Sequence, residues 1–206
     1  MKTALVLGPA DHGRSITRQE FESARGQEGY RYELIGGKVC VSPLPNLPHE
    51  LVCDWVEGLL RDYSHTCPEV LNYVTGPARV IVPGEEEATN PEPDLAGYRD
   101  FPRHLPFAEV SWDDVSPILV AEVVSEDEPE KDLVRNVELY LQVPSIREYW
   151  IFDPRDDPDR PTLRVYRRRG ERWQRPIDVA PGETYETRLL PGFALLLDPH
   201  AQGTQP

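Results

Sequence analysis

Ile118-Leu119-Val120-Ala121-Glu122-Val123-Val124 is the most apolar stretch of this chain, and it carries one carboxylate near its centre. A short run that is apolar on both alternating faces reads as a central strand covered by helices. An unpaired carboxylate buried in such a strand costs roughly several kcal/mol. Glu122 is therefore expected to be neutralised, hydrogen-bonded or bound to a cation. Downstream, Leu133, Val137, Tyr140 and Leu141 fall at helical spacing until Pro144, and Arg147 to Asp153 reads as another strand. Residues 118–153 thus predict a βαβ crossover, which belongs to an α/β fold.

A second isolated acid lies upstream. Pro93-Asp94-Leu95-Ala96-Gly97-Tyr98 puts Asp94 at the start of a short apolar strand. Alternation sets Val120, Glu122 and Val124 on one face, and Asp94 meets Glu122 if the two strands pair. Hard oxygen ligands of this kind suit Mg²⁺ or Mn²⁺ rather than zinc. Such an ion polarises a phosphodiester and activates a water for in-line attack. Taken alone, Asp94 reads equally well as a turn or strand-start residue.

Further out, Thr17-Arg18-Gln19-Glu20 is a capping box, with Phe21 and Ala24 beginning the stripe of a short helix that stops near Gly26. Residues 1–14 are expected as a loose lead-in. Tyr30 to Ile35 and Lys38 to Val41 flank Gly36-Gly37 as a tight hairpin, ended by Pro43, Pro45 and Pro48. His49 opens an amphipathic helix with Leu51, Val52, Trp55, Val56, Leu59 and Leu60 at helical spacing, ending before Pro68. Residues 70–82 look strand-like around Gly76-Pro77, and Glu85-Glu86-Glu87 reads as a solvated loop. Residues 99–117 form a long connection with room for one short helical turn. Leu163 to Trp173 reads as a hairpin turning at Gly170, residues 185–197 complete the sheet region, and 199–206 form a tail. The expected architecture is one α/β domain over 15–198, a mixed sheet flanked by helices.

Composition restricts the function classes. The 206 residues carry 36 acids against 22 bases, a net charge of −14, so a broad basic face for nucleic acid is excluded. Any such contact is local. Arg160, Arg164, Arg167, Arg168, Arg169, Arg172 and Arg175 offer one candidate, which reads equally as a solvated hairpin. Cys40, Cys53 and Cys67 have no metal-ligand spacing and cannot all pair, which suits a reducing compartment. Cys53 and Cys67 show no triad order with a nearby base. No window approaches a membrane span, and Leu5-Val6-Leu7 is too short for a signal segment, so a cytoplasmic protein is expected.

The ordered series Arg31-Tyr32-Glu33-Leu34-Ile35, His49, Pro93-Asp94, Glu122-Val123-Val124-Ser125, Asp132 and Glu148-Tyr149-Trp150-Ile151-Phe152-Asp153-Pro154 resembles the Uma-type putative restriction endonucleases, within the PD-(D/E)XK nuclease superfamily. The resemblance spans residues 17–198. It implies a restriction-endonuclease-like fold and metal-dependent hydrolysis of nucleic acid, most directly DNA. It also implies Asp94 and Glu122 as the acids holding Mg²⁺ or Mn²⁺, Glu33 near the same site, and His49 orienting a phosphate or water. From the residues alone, Glu33 is also readable as an exposed strand glutamate and His49 as a capping or packing residue.

The chain departs from this pattern at the lysine. The superfamily position two residues after the second acid is Val124. The alternative position, four residues before Tyr140, is Asn136, an amide without charge. On an α-helix Arg135 points about 100° away from position 136, and Lys131 falls at or before the first turn. Two expectations follow: a metal-dependent endonuclease, or a catalytically weakened or silent relative that binds nucleic acid or a protein. Hydrolysis of another phosphate ester is also open. A homodimer is compatible with either.

Overall fold

The computed structural model describes residues 5–76, 78–84 and 87–201. In chain order the strands are β1 (Val6–Leu7), β2 (Arg25–Gly26), β3 (Tyr30–Ile35), β4 (Lys38–Pro43), β5 (Tyr73–Thr75), β6 (Leu95–Tyr98), β7 (Leu119–Val123), β8 (Glu148–Asp153), β9 (Thr162–Arg169), β10 (Arg172–Trp173), β11 (Ile177–Val179), β12 (Thr184–Glu186) and β13 (Ala194–Leu196). The α-helices are α1 (Arg18–Ser23), α2 (Leu47–Thr66) and α3 (Asn136–Leu141), the last continuing a π-helical turn over Lys131–Arg135. The main sheet runs β10-β9-β8-β7-β6-β5, with β11 also beside β9. Strands β7 and β8 are parallel, Leu119 facing Glu148 and Val123 facing Phe152. The other neighbours are antiparallel. The sheet is therefore mixed, and 118–153 is the expected crossover.

The apolar character of β7 follows from its two covered faces. Leu119, Ala121 and Val123 pack with Val52, Val56 and Leu60 of α2 and with Trp150 and Phe152. Val120 and Val124 join Tyr140, Val143, Ile146, Tyr149 and Ile151 on the opposite face. Each fully buried large side chain contributes about 1.5–3 kcal/mol of transfer free energy. The β12–β13 pair adds Tyr185, Phe193 and Leu195 to the α2 side, where Phe193 stacks on Trp150 at 6.1 Å between ring centroids. A smaller cluster of Leu7, Phe21, Leu34 and Val39 lies under the β3–β4 hairpin. That hairpin turns at Gly36 and Gly37, both at positive φ as a type I′ turn requires.

Several boundaries differ from expectation. Residues 5–14 are not a loose lead-in: Val6–Leu7 pairs in parallel with Arg25–Gly26, and Leu7 is buried. Helix α1 stops at Ser23, earlier than expected, because Arg25–Gly26 is drawn into that pairing. Helix α2 starts at Leu47 rather than His49, since the Asn46 side chain caps the His49 N–H at 3.0 Å. Pro48 belongs to its first turn, where the missing N–H costs nothing. Of residues 70–82 only Tyr73–Thr75 is strand, and the 99–117 connection carries two 3-10 turns, Phe107–Glu109 and Trp112–Asp114. Strands β12 and β13 pair with each other and not with the main sheet. Pro77, Glu85, Glu86 and the end of the expected tail (202–206) lie outside the described residues. Among the described residues no helix is long and apolar enough to cross a membrane.

Candidate active site

Antiparallel pairing of β6 with β7 sets Leu95 opposite Ala121, which carries Asp94 alongside Glu122. The Asp94 backbone N–H donates to Glu122 Oε2 at 3.1 Å, and the Val123 N–H donates to Asp94 Oδ2 at 2.9 Å. Both acids are buried, Glu122 completely and Asp94 to 5% exposure. Neither is unpaired. Asp94 Oδ1 accepts from Arg31 Nη1, and Asp94 Oδ2 lies 3.1 Å from His49 Nε2. Glu122 Oε1 accepts from Asn136 Nδ2 and Tyr140 Oη, each at 2.8 Å.

The two carboxylates are held in opposite electrostatic states. Burial pushes the Asp94 carboxyl up. The His49 hydrogen bond and the charges of His49, Lys131 and Arg31 outweigh it, and Asp94 stays well below the ordinary carboxylate range. Burial raises Glu122 well above that range; Lys131 opposes the rise, and the charges of Asp132, Asp94 and Glu33 add to it. Asp132, also buried, is pushed up to about 7 by burial against the pull of Lys131. Burial would lower Lys131, yet Glu122, Glu33, Asp132 and Asp94 hold its ammonium well above the ordinary value.

Helix α3 and its π turn supply one wall. Asp132, Asn136 and Tyr140 share a stripe, with Asn136 Nδ2 also donating to Asp132 Oδ1 at 3.1 Å. Arg135 Nε donates to Asn136 Oδ1 at 3.0 Å, which fixes the amide with its nitrogen toward the carboxylates. Glu33 on β3 is buried rather than exposed. Its Oε2 accepts from Arg135 Nη2 at 2.8 Å and its Oε1 from the Glu92 N–H at 3.0 Å. Glu33 thus reaches Asn136 through Arg135, and no direct contact joins it to Asp94 or Glu122.

Asp94 lies in a cleft of about 550 Å³ that also exposes Arg31, His49, Lys131 and Asp132. Pro43, Leu44, Pro45 and Pro48 form one side, and Ser125-Glu126-Asp127-Glu128 with Pro154 and Arg155 form the other. Glu122 is not among the lining residues; it lies one residue behind Val123, which is.

The structure adds residues that the sequence reading left without a role. Arg31 holds Asp94, and Tyr140 holds Glu122. The Asp132–Asn136–Tyr140 spacing of four was the available signal for the helix stripe. The same spacing joins His49 to Cys53, whose Sγ lies 3.6 Å from His49 Nδ1. No triad order was expected for Cys53, and the fold nevertheless sets His49 beside it. His49, Cys53 and Asp94 offer donor atoms within 4.8 Å of one another. Sulfur and carboxylate, however, face opposite nitrogens of the imidazole, whose lone pairs diverge. Cys53 does not line the cleft, and burial pushes its thiol far up. Three of the seven clustered arginines are committed to the protein, while Arg160, Arg169, Arg172 and Arg175 are exposed. Arg164 pairs with Asp178 at 2.7 Å, Arg167 donates to Tyr185 Oη at 2.9 Å, and Arg168 caps the carbonyls of Tyr140, Leu141 and Val143.

The fold is similar to that of a solved structure, a putative nuclease belonging to DUF820 from Anabaena variabilis, at a TM-score of 0.67. The identity is 18%, and the alignment covers 88% of this chain and 95% of that one. The mixed sheet with flanking helices is therefore of the restriction-endonuclease-like type. No curated protein matches this sequence. Residues 18–198, most of the chain, match the family described as "Putative restriction endonuclease". The chain belongs to this family, Uma2.

Proposed function

We propose that the protein is a metal-dependent endonuclease that hydrolyses nucleic-acid phosphodiester bonds, with DNA as the substrate. The observation that carries this reading is the junction of two buried acids on paired strands beside a cleft, Asp94 N–H to Glu122 Oε2. Family membership supports the reaction class.

The donor set fits a hard divalent cation. Asp94 Oδ1 and Glu122 Oε2 each accept one hydrogen bond, so each keeps a lone pair for an ion. The anionic form of Glu122 is disfavoured by burial and by three other acids, a penalty that a divalent charge offsets. Asp94 and Glu122 would hold Mg²⁺ or Mn²⁺. Bound there, the ion would polarise the phosphoryl group and lower the pKa of a water. His49 and Arg31 fix the Asp94 carboxylate, and Asn136 with Tyr140 fixes that of Glu122. Such clamping keeps both acids in one geometry as substrate enters.

A second reading, a weakened or silent member that binds nucleic acid or protein, is favoured by one observation. Asn136, where a cation is expected, is neutral and fully buried. Nicking of supercoiled plasmid in Mg²⁺ or Mn²⁺ separates the two, with Glu122→Gln alongside. Nicking by the parent and not by the variant supports the nuclease. Absence of nicking in both metals overturns it in favour of the binding protein. Cleavage of both strands of a duplex would call on two copies of the chain, and the three free cysteines suit a reducing, cytoplasmic setting.

A further inference from the structure

The π-helical turn over Lys131–Arg135 coincides with a hydrogen bond from a neighbouring strand. Tyr149 Oη donates to the Asp132 carbonyl at 2.9 Å, the acceptor that an α-helix would offer to the Asn136 N–H. The Asn136 N–H goes instead to the Lys131 carbonyl, an i→i+5 bond. Residues five apart on an α-helix diverge by about 140°, whereas an i→i+5 turn stacks them on one side. The turn therefore carries Lys131 toward the side of the helix that bears Asn136, where its side chain lines the cleft with Asp94 and Asp132 and its charge acts on Glu122.

Lys131 is also the least committed cation at the cleft. Arg31 is held by Asp94 and Glu50, and Arg155 grips Asp153 through two nitrogens. Arg135, beside the cleft, is held by Glu33 and Asn136. The ion pair of Lys131 is a loose one, 3.7 Å from Nζ to Asp132 Oδ1, and its side chain lines the cleft at 17% exposure.

We propose that Lys131 is a catalytic residue of the cleft, its ammonium contacting the scissile phosphate and supplying the positive charge that Asn136 lacks. This rests on the nuclease reading above. In the hydrolysis, a water oxygen bonds to phosphorus as the bond to the leaving oxygen breaks. One water proton passes to solvent, and the leaving oxygen gains a proton. Lys131 keeps its own protons throughout and donates a hydrogen bond to a non-bridging oxygen, where negative charge gathers. Burial opposes the charge, but the surrounding acidic groups hold the ammonium above its ordinary value.

The test compares the parent, Lys131→Gln and Lys131→Gln/Asn136→Lys in single-turnover cleavage of supercoiled plasmid with Mg²⁺ and Mn²⁺, with Tm measured with and without metal. The expected result is a loss of at least about a hundredfold in Lys131→Gln. The metal-induced rise in Tm is retained, and the double variant recovers activity. A parent that cuts and a Lys131→Gln that cuts within about twofold of it would overturn the proposal while leaving the nuclease reading intact. A loss that comes with a lowered Tm and no recovery assigns Lys131 a structural role and also overturns it. A parent that nicks in neither metal removes the nuclease reading itself, and the proposal with it.

Discussion

Substituting Glu122→Gln separates a metal ligand from a packing residue, because the isosteric amide keeps most of the local structure. Glu122 accepts three hydrogen bonds: two at Oε1, from Asn136 and Tyr140, and one at Oε2, from Asp94 N–H. A glutamine keeps both at Oε1 only by turning its own NH₂ onto the Asp94 N–H. The flipped amide would lose two bonds instead of one. One unsatisfied buried donor costs about 1–3 kcal/mol. Against this, the substitution removes a carboxylate that burial and the neighbouring acids disfavour. The metal-free variant is therefore expected within about 2 kcal/mol of the parent, and folded. For Mg²⁺ at ten times its dissociation constant, the linkage relation gives the parent about 1.4 kcal/mol. For a chain of this length that is a rise in Tm of about 3–6 °C. Calorimetric or dye-monitored melting in EDTA and then in increasing Mg²⁺ should show this rise in the parent and none in Glu122→Gln. Equal rises in both proteins would refute Glu122 as a ligand.

Four shorter predictions address the surrounding frame. Tyr140→Phe keeps the ring contact with Tyr149, 5.0 Å between centroids, but removes a donor to Glu122; it should cost about 1 kcal/mol and lower Tm by about 2–4 °C in a melting experiment. Leu60→Ala opens a cavity between α2 and the sheet and should cost about 2–5 kcal/mol by urea titration, with the slope unchanged. A Cβ at Gly76 would lie 2.0 Å from the Asp94 carbonyl oxygen, so Gly76→Ala should displace Asp94 and abolish the metal-dependent rise in Tm. In the native protein, thiol labelling followed by mass spectrometry should modify Cys40 and Cys67 before Cys53, which is buried and whose thiol burial pushes far up.

The strand pair at the site was legible because it rests on two strong local signals. An acid inside Ile118 to Val124 and an acid heading Leu95 to Tyr98 could be read from alternation alone, and the register Leu95–Ala121 joins them. The Gly36-Gly37 hairpin and the crossover were legible for the same reason, since each depends on neighbours in the chain. What escaped depends on partners far away in sequence. The burial of Glu33 is set by Arg135, 102 residues on, and the hold on Asp94 by Arg31, 63 residues back. The π turn was invisible to a local reading, and the Asp132 carbonyl it leaves free accepts from Tyr149, on the next strand. An α-helical reading of 131–140 set Lys131 aside by geometry that the folded chain does not use.

The charge at the cleft shows how an acidic protein could still engage a polyanion. Glu126, Asp127 and Glu128 stand on the rim, and Asp94 and Asp132 lie deeper, so phosphate meets repulsion from the apo site. Three of the four arginines of β9 do not relieve this. Arg164 and Arg167 are engaged with Asp178, Tyr185 and Glu186, and Arg168 satisfies the carbonyls at the end of α3. Arg169, at the end of β9, and Arg160, Arg172 and Arg175 beside it are exposed. Because the exposed arginines are few against a net charge of −14, the proposed function would draw further attraction from inside the cleft, by a divalent ion on Asp94 and Glu122 together with the ammonium of Lys131. On this reading the net charge of −14 is compatible with nuclease activity. Under the proposed function, an ion there would serve substrate recognition as well as chemistry, because the metal-free cleft repels the same phosphate that the loaded one would bind.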